Sequence, residues 1–235
     1  MQVILFDIDG TLIHTGGAGG DALMSAFSDV FRVPDPQLVP FSGRTDRGIA
    51  RMLFTLHGFE DSDDNWQQLR EEYLRRLDEY LPTRQGAVLP GIPQLLELLG
   101  QQSDLAVGLL TGNLRDGARR KLEHFGLHHH FAFGGFGDRH ADRDDVAREA
   151  LVASREHVSA ELPADQIWVI GDTPFDVRCA RAIGARAVAV ATGWDSREEL
   201  AASRPDVLFD SLDPPEVFLR HVKTAATTDA GDTSA

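Results

Sequence analysis

Val3, Ile4, Leu5 and Phe6 form an apolar run without polar alternation, the pattern of a strand buried on both faces in a parallel sheet. The apolar spacing then changes to about 3.6 residues, the period of a helix. Ala22, Leu23, Ala26, Phe27 and Val30 make one helical stripe, and Ile49, Met52, Leu53 and Leu56 a second. A third helix is predicted from about Trp66 to Tyr80. No convincing strand falls between Gly20 and Pro82, so this stretch reads as a small helical insertion. The glycine cluster Gly16 to Gly20 and the segment Pro82 to Gly86 mark its hinges. From Pro90 onward strands and helices alternate. Helices are predicted at Ile92 to Leu99, Arg115 to Phe125, Asp144 to His157 and Phe175 to Ile183. Strands are predicted at Leu105 to Leu110, Phe131 to Phe136, Ile167 to Ile170 and Ala187 to Val190. A short strand near Val207 and a helix from Pro215 to Val222 close the pattern. Such alternation predicts an α/β protein with a doubly wound parallel sheet. The tail 224–235, rich in Thr, Ala, Asp and Gly, has no apolar anchor and is expected to be disordered.

Polar residues gather where the strands end, the side on which open parallel sheets bind ligands. The first strand delivers Asp7 and Asp9 into the turn Gly10-Thr11. The two carboxylates share one face unless the turn rotates the second away, and a bound cation would let both stay ionised there. The second strand runs into Thr111-Gly112-Asn113 at a helix start, a place suited to anions. A later strand ends in Gly171-Asp172-Thr173-Pro174-Phe175-Asp176, and Arg139 and Arg143 lie just before another helix. Acids for a hard cation, donors for an anion and a cationic side chain together describe a phosphate site built around Mg²⁺. The 23 Lys+Arg against 37 Asp+Glu give a net charge of −14, which argues against nucleic acid as a partner. The single Cys179 excludes an intramolecular disulfide framework and suits a reducing cytoplasm. Residues 1–13 carry no basic leader region, and no apolar run approaches the roughly 18 residues of a membrane span. A cytoplasmic protein without a membrane partner is expected.

In the order and spacing of these motifs the chain resembles the haloacid dehalogenase superfamily, in its phosphatase branch, close to phosphoglycolate phosphatase-like proteins. Asp7-Ile8-Asp9-Gly10-Thr11 matches the first family motif, Thr111 the second, and Gly171-Asp172 with Asp176 the fourth. The resemblance implies a Rossmann-like core at residues 1–14 and 84–223, with a helical cap at 15–83 inserted after the first strand. It implies that Asp7 is the nucleophile and Asp9 the general acid and base. Asp7, the backbone carbonyl of Asp9 and Asp172 would hold Mg²⁺, with Asp176 completing the outer shell or the first, and Thr111 with Gly112 and Asn113 would bind phosphoryl oxygens. An aspartate at position 9 argues against halide displacement. The third family motif is usually a lysine, and none lies between Lys121 and Lys223, so Arg143, or failing that Arg139, is expected in its place. In the cap, Ser42-Gly43-Arg44-Thr45-Asp46 resembles a segment reaching back toward the phosphate, with Gly43 and Arg44 at the substrate and Arg44 meeting a second anionic group.

The function implied is a Mg²⁺-dependent phosphatase acting on a small phosphorylated metabolite, phosphoglycolate-like or a sugar phosphate, through an aspartyl-phosphate. The protein would be a monomer or homodimer. A phosphoglucomutase-type isomerase with the same nucleophile is the first alternative, and a non-catalytic phosphate-ligand-binding protein the second. Phosphonate hydrolysis would need a cap lysine, and no lysine precedes Arg120. Thr111 could instead cap the helix after it, and Asp46 is expected to cap the second cap helix. His128-His129-His130 reads as a solvated turn, and Cys179 as a packing residue. Trp194 could line the cap interface.

Overall fold

The computed structural model describes residues 1–231. Its elements, in chain order, are β1 (Gln2–Phe6), β2 (Ile13–His14), α1 (Ala18–Phe31), α2 (Asp46–His57), α3 (Asp63–Tyr80), β3 (Ala87–Val88), α4 (Ile92–Gly100), β4 (Leu105–Leu110), α5 (Arg115–His124), β5 (Gly134–Gly135), α6 (Arg143–His157), β6 (Ile167–Gly171), α7 (Pro174–Ala182), β7 (Arg186–Val190), α8 (Arg197–Ala202), β8 (Val207–Phe209) and α9 (Pro215–Gly231). Six strands form one sheet in the order β5-β4-β1-β6-β7-β8, with every pairing parallel. The chain winds outward from β1 in one direction, then returns beside it and winds out in the other. The strand order therefore reverses between β1 and β6, and the crevice at that reversal is where such sheets bind ligands.

The unbroken apolar run of β1 follows from this central position. Ile4 and Phe6 enter one core with Leu95, Leu109 and Ile170, while Val3 and Leu5 enter the opposite core with Val146, Val169 and Ala187. Each face is covered by helices, so strand alternation has no polar side to show.

Helices α1 to α3 build a separate apolar cluster around Phe27, Phe54, Tyr73 and Leu77, into which Leu114 of the core intrudes. The two chain segments joining this insertion to the core run side by side, as Ile13–His14 pairs antiparallel with Ala87–Val88. Gly16 and Gly17 follow directly with φ of 61° and 87°, the left-handed region that glycine enters without strain.

Several elements differ from the sequence reading. The aromatic strand expected from Phe131 to Phe136 shrinks to Gly134–Gly135, because Phe131, Phe133 and Phe136 are drawn into the two cores on either side of the sheet edge. The pair β2–β3 and the short helix α8 are additions. Helix α9 runs on to Gly231, beyond the Val222 expected and into the stretch taken as a disordered tail. Once the first turn is nucleated, each further residue adds a hydrogen bond. The rest of that tail, 232–235, lies outside the described residues. Among the described residues no helix is long and apolar enough to cross a membrane.

Candidate active site

Asp7 leaves β1 with its N–H donating to the Ile170 carbonyl of β6, so the sheet hydrogen bonding extends to the first acid itself. The chain then reverses: the Ile8 carbonyl accepts from the N–H groups of Leu12 and Ile13, and Gly10 sits at φ 83°. A Cβ on Gly10 would lie 2.3 Å from an Asp172 oxygen, so the close approach of the first and fourth motifs also requires glycine. This turn rotates Asp9 away from Asp7, and the two acids acquire different partners.

Asp7 is buried and meets Arg143, whose Nη2 lies 3.0 Å from Asp7 Oδ1 and 2.5 Å from Asp176 Oδ1. Asp176 is saturated on its other oxygen, where Oδ2 accepts from the Thr173 N–H and hydroxyl at 3.0 and 2.7 Å. Asp172 accepts from the Thr11 hydroxyl at 3.2 Å. Ligand oxygens of Asp7, Asp172 and Asp176 lie within 4.8 Å of one another. Burial pushes the Asp7 carboxyl up to about 6 against the pull of Arg143, and Asp176 and Asp9 add to the rise. Asp172 is driven well above the ordinary carboxylate range, first by burial and then by Asp176 and Asp7. One arginine thus leaves this acid cluster short of positive charge. An all-oxygen donor set of this kind suits a hard divalent cation, and Mg²⁺ fits it.

Asp9 faces the other way, toward α5. Lys121 Nζ donates to Asp9 Oδ2 and to Asn113 Oδ1, each at 2.6 Å, and Asn113 Nδ2 donates to Asp9 Oδ2 at 2.9 Å. Lys121 occupies the buried face of α5 beside Ala118 and Leu122, its apolar stem in the core and its ammonium at the site. Sequence reasoning missed this residue. The signal was present: of 23 Lys+Arg only Lys121 and Lys223 are lysines, and Lys121 falls in the apolar stripe of its helix.

Above the acids lies a cavity of about 910 Å³ between the strand ends and the helical insertion, lined on the strand side by Asp7, Asp9, Asp172, Arg143, Lys121, Gly112 and Asn113. From the insertion come Gly43, Arg44, Asp46 and Tyr73, and Trp194, 90 % exposed, stands on the cavity wall. Thr111, expected at the phosphoryl group, does not line it. It is fully buried, and its hydroxyl oxygen accepts from Asn113 Nδ2 at 2.8 Å; Gly112 and Asn113 form the wall in front of it. Arg44 lines the cavity edge with its guanidinium 5.6 Å over the Phe175 ring. Arg143, the first of α6, reaches the acids; Arg139 is exposed.

The helical insertion meets the sheet side of the molecule through its 43–46 segment. The Asp46 N–H donates to the Gly112 carbonyl at 2.8 Å, and a Cβ on Gly112 would fall 2.0 Å from the Arg44 carbonyl. Thr45, not Asp46, caps α2, accepting from the Gly48 N–H. Asp46 is instead buried between the insertion and α5, where its Oδ2 accepts from the Leu114 N–H at 2.8 Å and Tyr73 hydrogen-bonds to it. Burial pushes the Asp46 carboxyl up to about 6, against the pull of Lys121. A folded-state value above the ordinary 3.8 penalises the charged form. That penalty is absent below about pH 4 and grows as pH rises through about 6. Asp46→Asn, which keeps an oxygen for Leu114, is therefore expected to exceed the wild type in stability by up to about 3 kcal/mol near neutral pH. Denaturant unfolding at several pH values should show the gap closing between about pH 6 and 4.

Residues 4–190 match the haloacid dehalogenase-like hydrolase family. The chain belongs to that family. Among curated relatives of this family member, the phosphoglycolate phosphatase of Synechococcus elongatus is 30% identical over 224 residues, spanning 90% of this chain and 93% of the relative. That of Rhodospirillum rubrum is 29% identical over 220 residues, spanning 90% and 88%. Among solved structures, CbbY from Rhodobacter sphaeroides in complex with phosphate aligns over 90% of this chain and 94% of its own, with a TM-score of 0.69 at 18% identity. This likeness shows that the two chains share a fold over most of their length, the helical insertion included.

Proposed function

We propose that this family member is a Mg²⁺-dependent phosphatase that hydrolyses a small phosphomonoester through an aspartyl-phosphate on Asp7. The observation that carries the reading is the buried, charge-deficient cluster of Asp7, Asp172 and Asp176 at the floor of a covered cavity, with Arg143 in direct contact with Asp7 and Asp176. Asp7, Asp172 and the backbone carbonyl of Asp9 would hold the cation. Both oxygens of Asp176 are engaged by Arg143 and Thr173, which favours an orienting role for it over direct ligation. Bound there, Mg²⁺ would supply neutralisation of phosphoryl charge.

The chain's own residues account for the bond changes. An Asp7 oxygen attacks phosphorus; the bond to the leaving oxygen breaks, and that oxygen takes its electron pair and a proton from Asp9. Water then attacks the aspartyl-phosphate, giving a proton to the Asp9 carboxylate as the bond between phosphorus and Asp7 breaks. Arg143 steadies the nucleophile, and Gly112 and Asn113 line the phosphoryl end. The cap limits water and brings Arg44 to the cavity edge, where a second anionic group of the substrate would meet it. The phosphoglycolate phosphatases among the relatives support a carboxylated substrate of this kind.

Phosphate release should be measured with 2-phosphoglycolate, hexose phosphates, a nucleoside monophosphate and p-nitrophenyl phosphate, with Mg²⁺ and with chelator. At least one ester is expected to be hydrolysed, with a loss of at least about 100-fold on chelation that added Mg²⁺ restores. Folded, Mg²⁺-supplied protein that releases phosphate from none of them overturns the reading.

A further inference from the structure

Lys121 takes part in none of the steps above. It is nonetheless 3 % exposed, and its ammonium ends on the carboxylate assigned to proton transfer. We propose that Lys121 is a positioning residue for the acid step, holding the Asp9 carboxylate toward the leaving-group oxygen and neutralising the charge it acquires when its proton departs. The positive charge of the site is then divided between two side chains, Arg143 on Asp7 and Lys121 on Asp9. The inference rests on the phosphatase reading above.

Three observations carry it. Asp9 lies just past the strand in a turn, with its side chain 41% exposed, so packing alone does not fix its rotamer. Lys121 and Asn113 converge on one oxygen, Oδ2, and also on each other. This leaves Oδ1 of Asp9 as the oxygen free of both groups. Such closed three-way networks hold a group in one orientation, which a proton donor needs in order to stay within hydrogen-bond reach of its acceptor.

The choice of lysine is the third observation. This chain uses arginine at nearly every basic position, keeping lysine only at 121 and 223. Helix α1 of the cap passes close to the ammonium: a Cβ on Gly19 would lie 3.1 Å from Nζ. A compact ammonium fits between Asp9, Asn113 and that glycine, where a planar guanidinium needs more room. The same contact seats the start of the cap against the group that orients Asp9.

As the bond from phosphorus to the leaving oxygen breaks, the Asp9 proton moves to that oxygen and the carboxylate becomes anionic 2.6 Å from a fixed cation. That stabilisation matters most when the leaving oxygen is basic and needs the proton. The test compares kcat/KM for p-nitrophenyl phosphate, whose phenol is acidic, with phenyl phosphate, whose phenol resembles a tyrosine side chain of pKa about 10. Lys121→Gln is expected to lose at least about tenfold more on phenyl phosphate than on the nitro ester. Asp9→Asn should show the same bias, and adding Lys121→Gln to it should cost less than about threefold more, since the two act as one unit. Lys121→Arg, which keeps the charge, should show a smaller bias of the same sign and serves if the glutamine variant fails to fold. Equal losses on both esters in a folded variant, or fully multiplicative losses in the double variant, overturn the proposal. Folded wild-type protein that, with Mg²⁺, hydrolyses neither these two esters nor any ester of the panel above overturns the phosphatase reading, and this inference with it; where only a panel ester is hydrolysed, the same comparison is made between that ester and an analogue with a more acidic leaving group.

Discussion

Asp7→Asn is expected to lower kcat by at least about 10⁴-fold on every ester the wild type hydrolyses, since removal of a covalent nucleophile leaves only binding and electrostatics to act. The amide is nearly the same size and can still meet Arg143, so the fold should survive. Stability should move the opposite way. Asp7 is pushed up to about 6, first by burial and then by its neighbouring acids against Arg143, so its charge weakens the metal-free protein at neutral pH. That weakening is absent below the ordinary value of 3.8 and develops as pH rises through about 6. The asparagine variant should therefore unfold at a higher denaturant concentration than the wild type in chelator, by up to about 3 kcal/mol near neutral pH. Mg²⁺ should close the gap, because it binds the folded wild type more tightly than the variant. Residual activity within about tenfold of wild type would remove Asp7 from the nucleophile's role. Equal stability in chelator would mean that Arg143 offsets the burial in full.

The parts of this site legible in the sequence are those encoded within a few neighbouring residues. Val3 to Phe6, Leu105 to Leu110 and Ile167 to Ile170 announce strands by composition, and Asp7, Thr111-Gly112 and Asp172 lie at their ends. What stayed hidden depends on contacts between distant segments. Lys121 lies in a helical stripe whose period shows which face is buried but not what a buried amine meets. Asp46 looked like a helix cap because its own neighbourhood is a helix start, yet the acceptor it offers is used by Leu114, 68 positions away. Thr111 carries the residue type of a phosphate ligand, but that its hydroxyl oxygen accepts from Asn113 Nδ2, two positions on, is a contact no local pattern announces. Two-residue strands such as Gly134–Gly135 have no periodicity to read and exist only because β4 offers them an edge.

Arg143→Ala should cost the most in stability of any single change at the site. The wild-type guanidinium bridges Asp7 and Asp176, and both carboxylates and the arginine are buried. Burial opposes the charge on Arg143, but Asp176 and Asp7 outweigh it and hold the group above its ordinary value. Removing the arginine leaves three clustered buried acids, Asp7, Asp172 and Asp176, without that cation. Breaking one side of such a buried pair costs about 3–5 kcal/mol, a fall in Tm of roughly 10 °C for a chain of this size. Mg²⁺ should recover part of the loss by supplying charge to the same oxygens. Activity should fall by about 10²- to 10³-fold at saturating Mg²⁺, as for loss of one preorganised donor at a phosphoryl centre. Arg143→Lys should regain much of the stability and less of the rate, since one ammonium cannot reproduce a planar fork held between two acids. Arg139→Ala, at an exposed position, should leave both within about twofold. If instead Arg139→Ala removed the activity while Arg143→Ala spared it, the cation that serves the phosphoryl group would come from the loop before α6, and the pairing of Arg143 with Asp7 would be structural only.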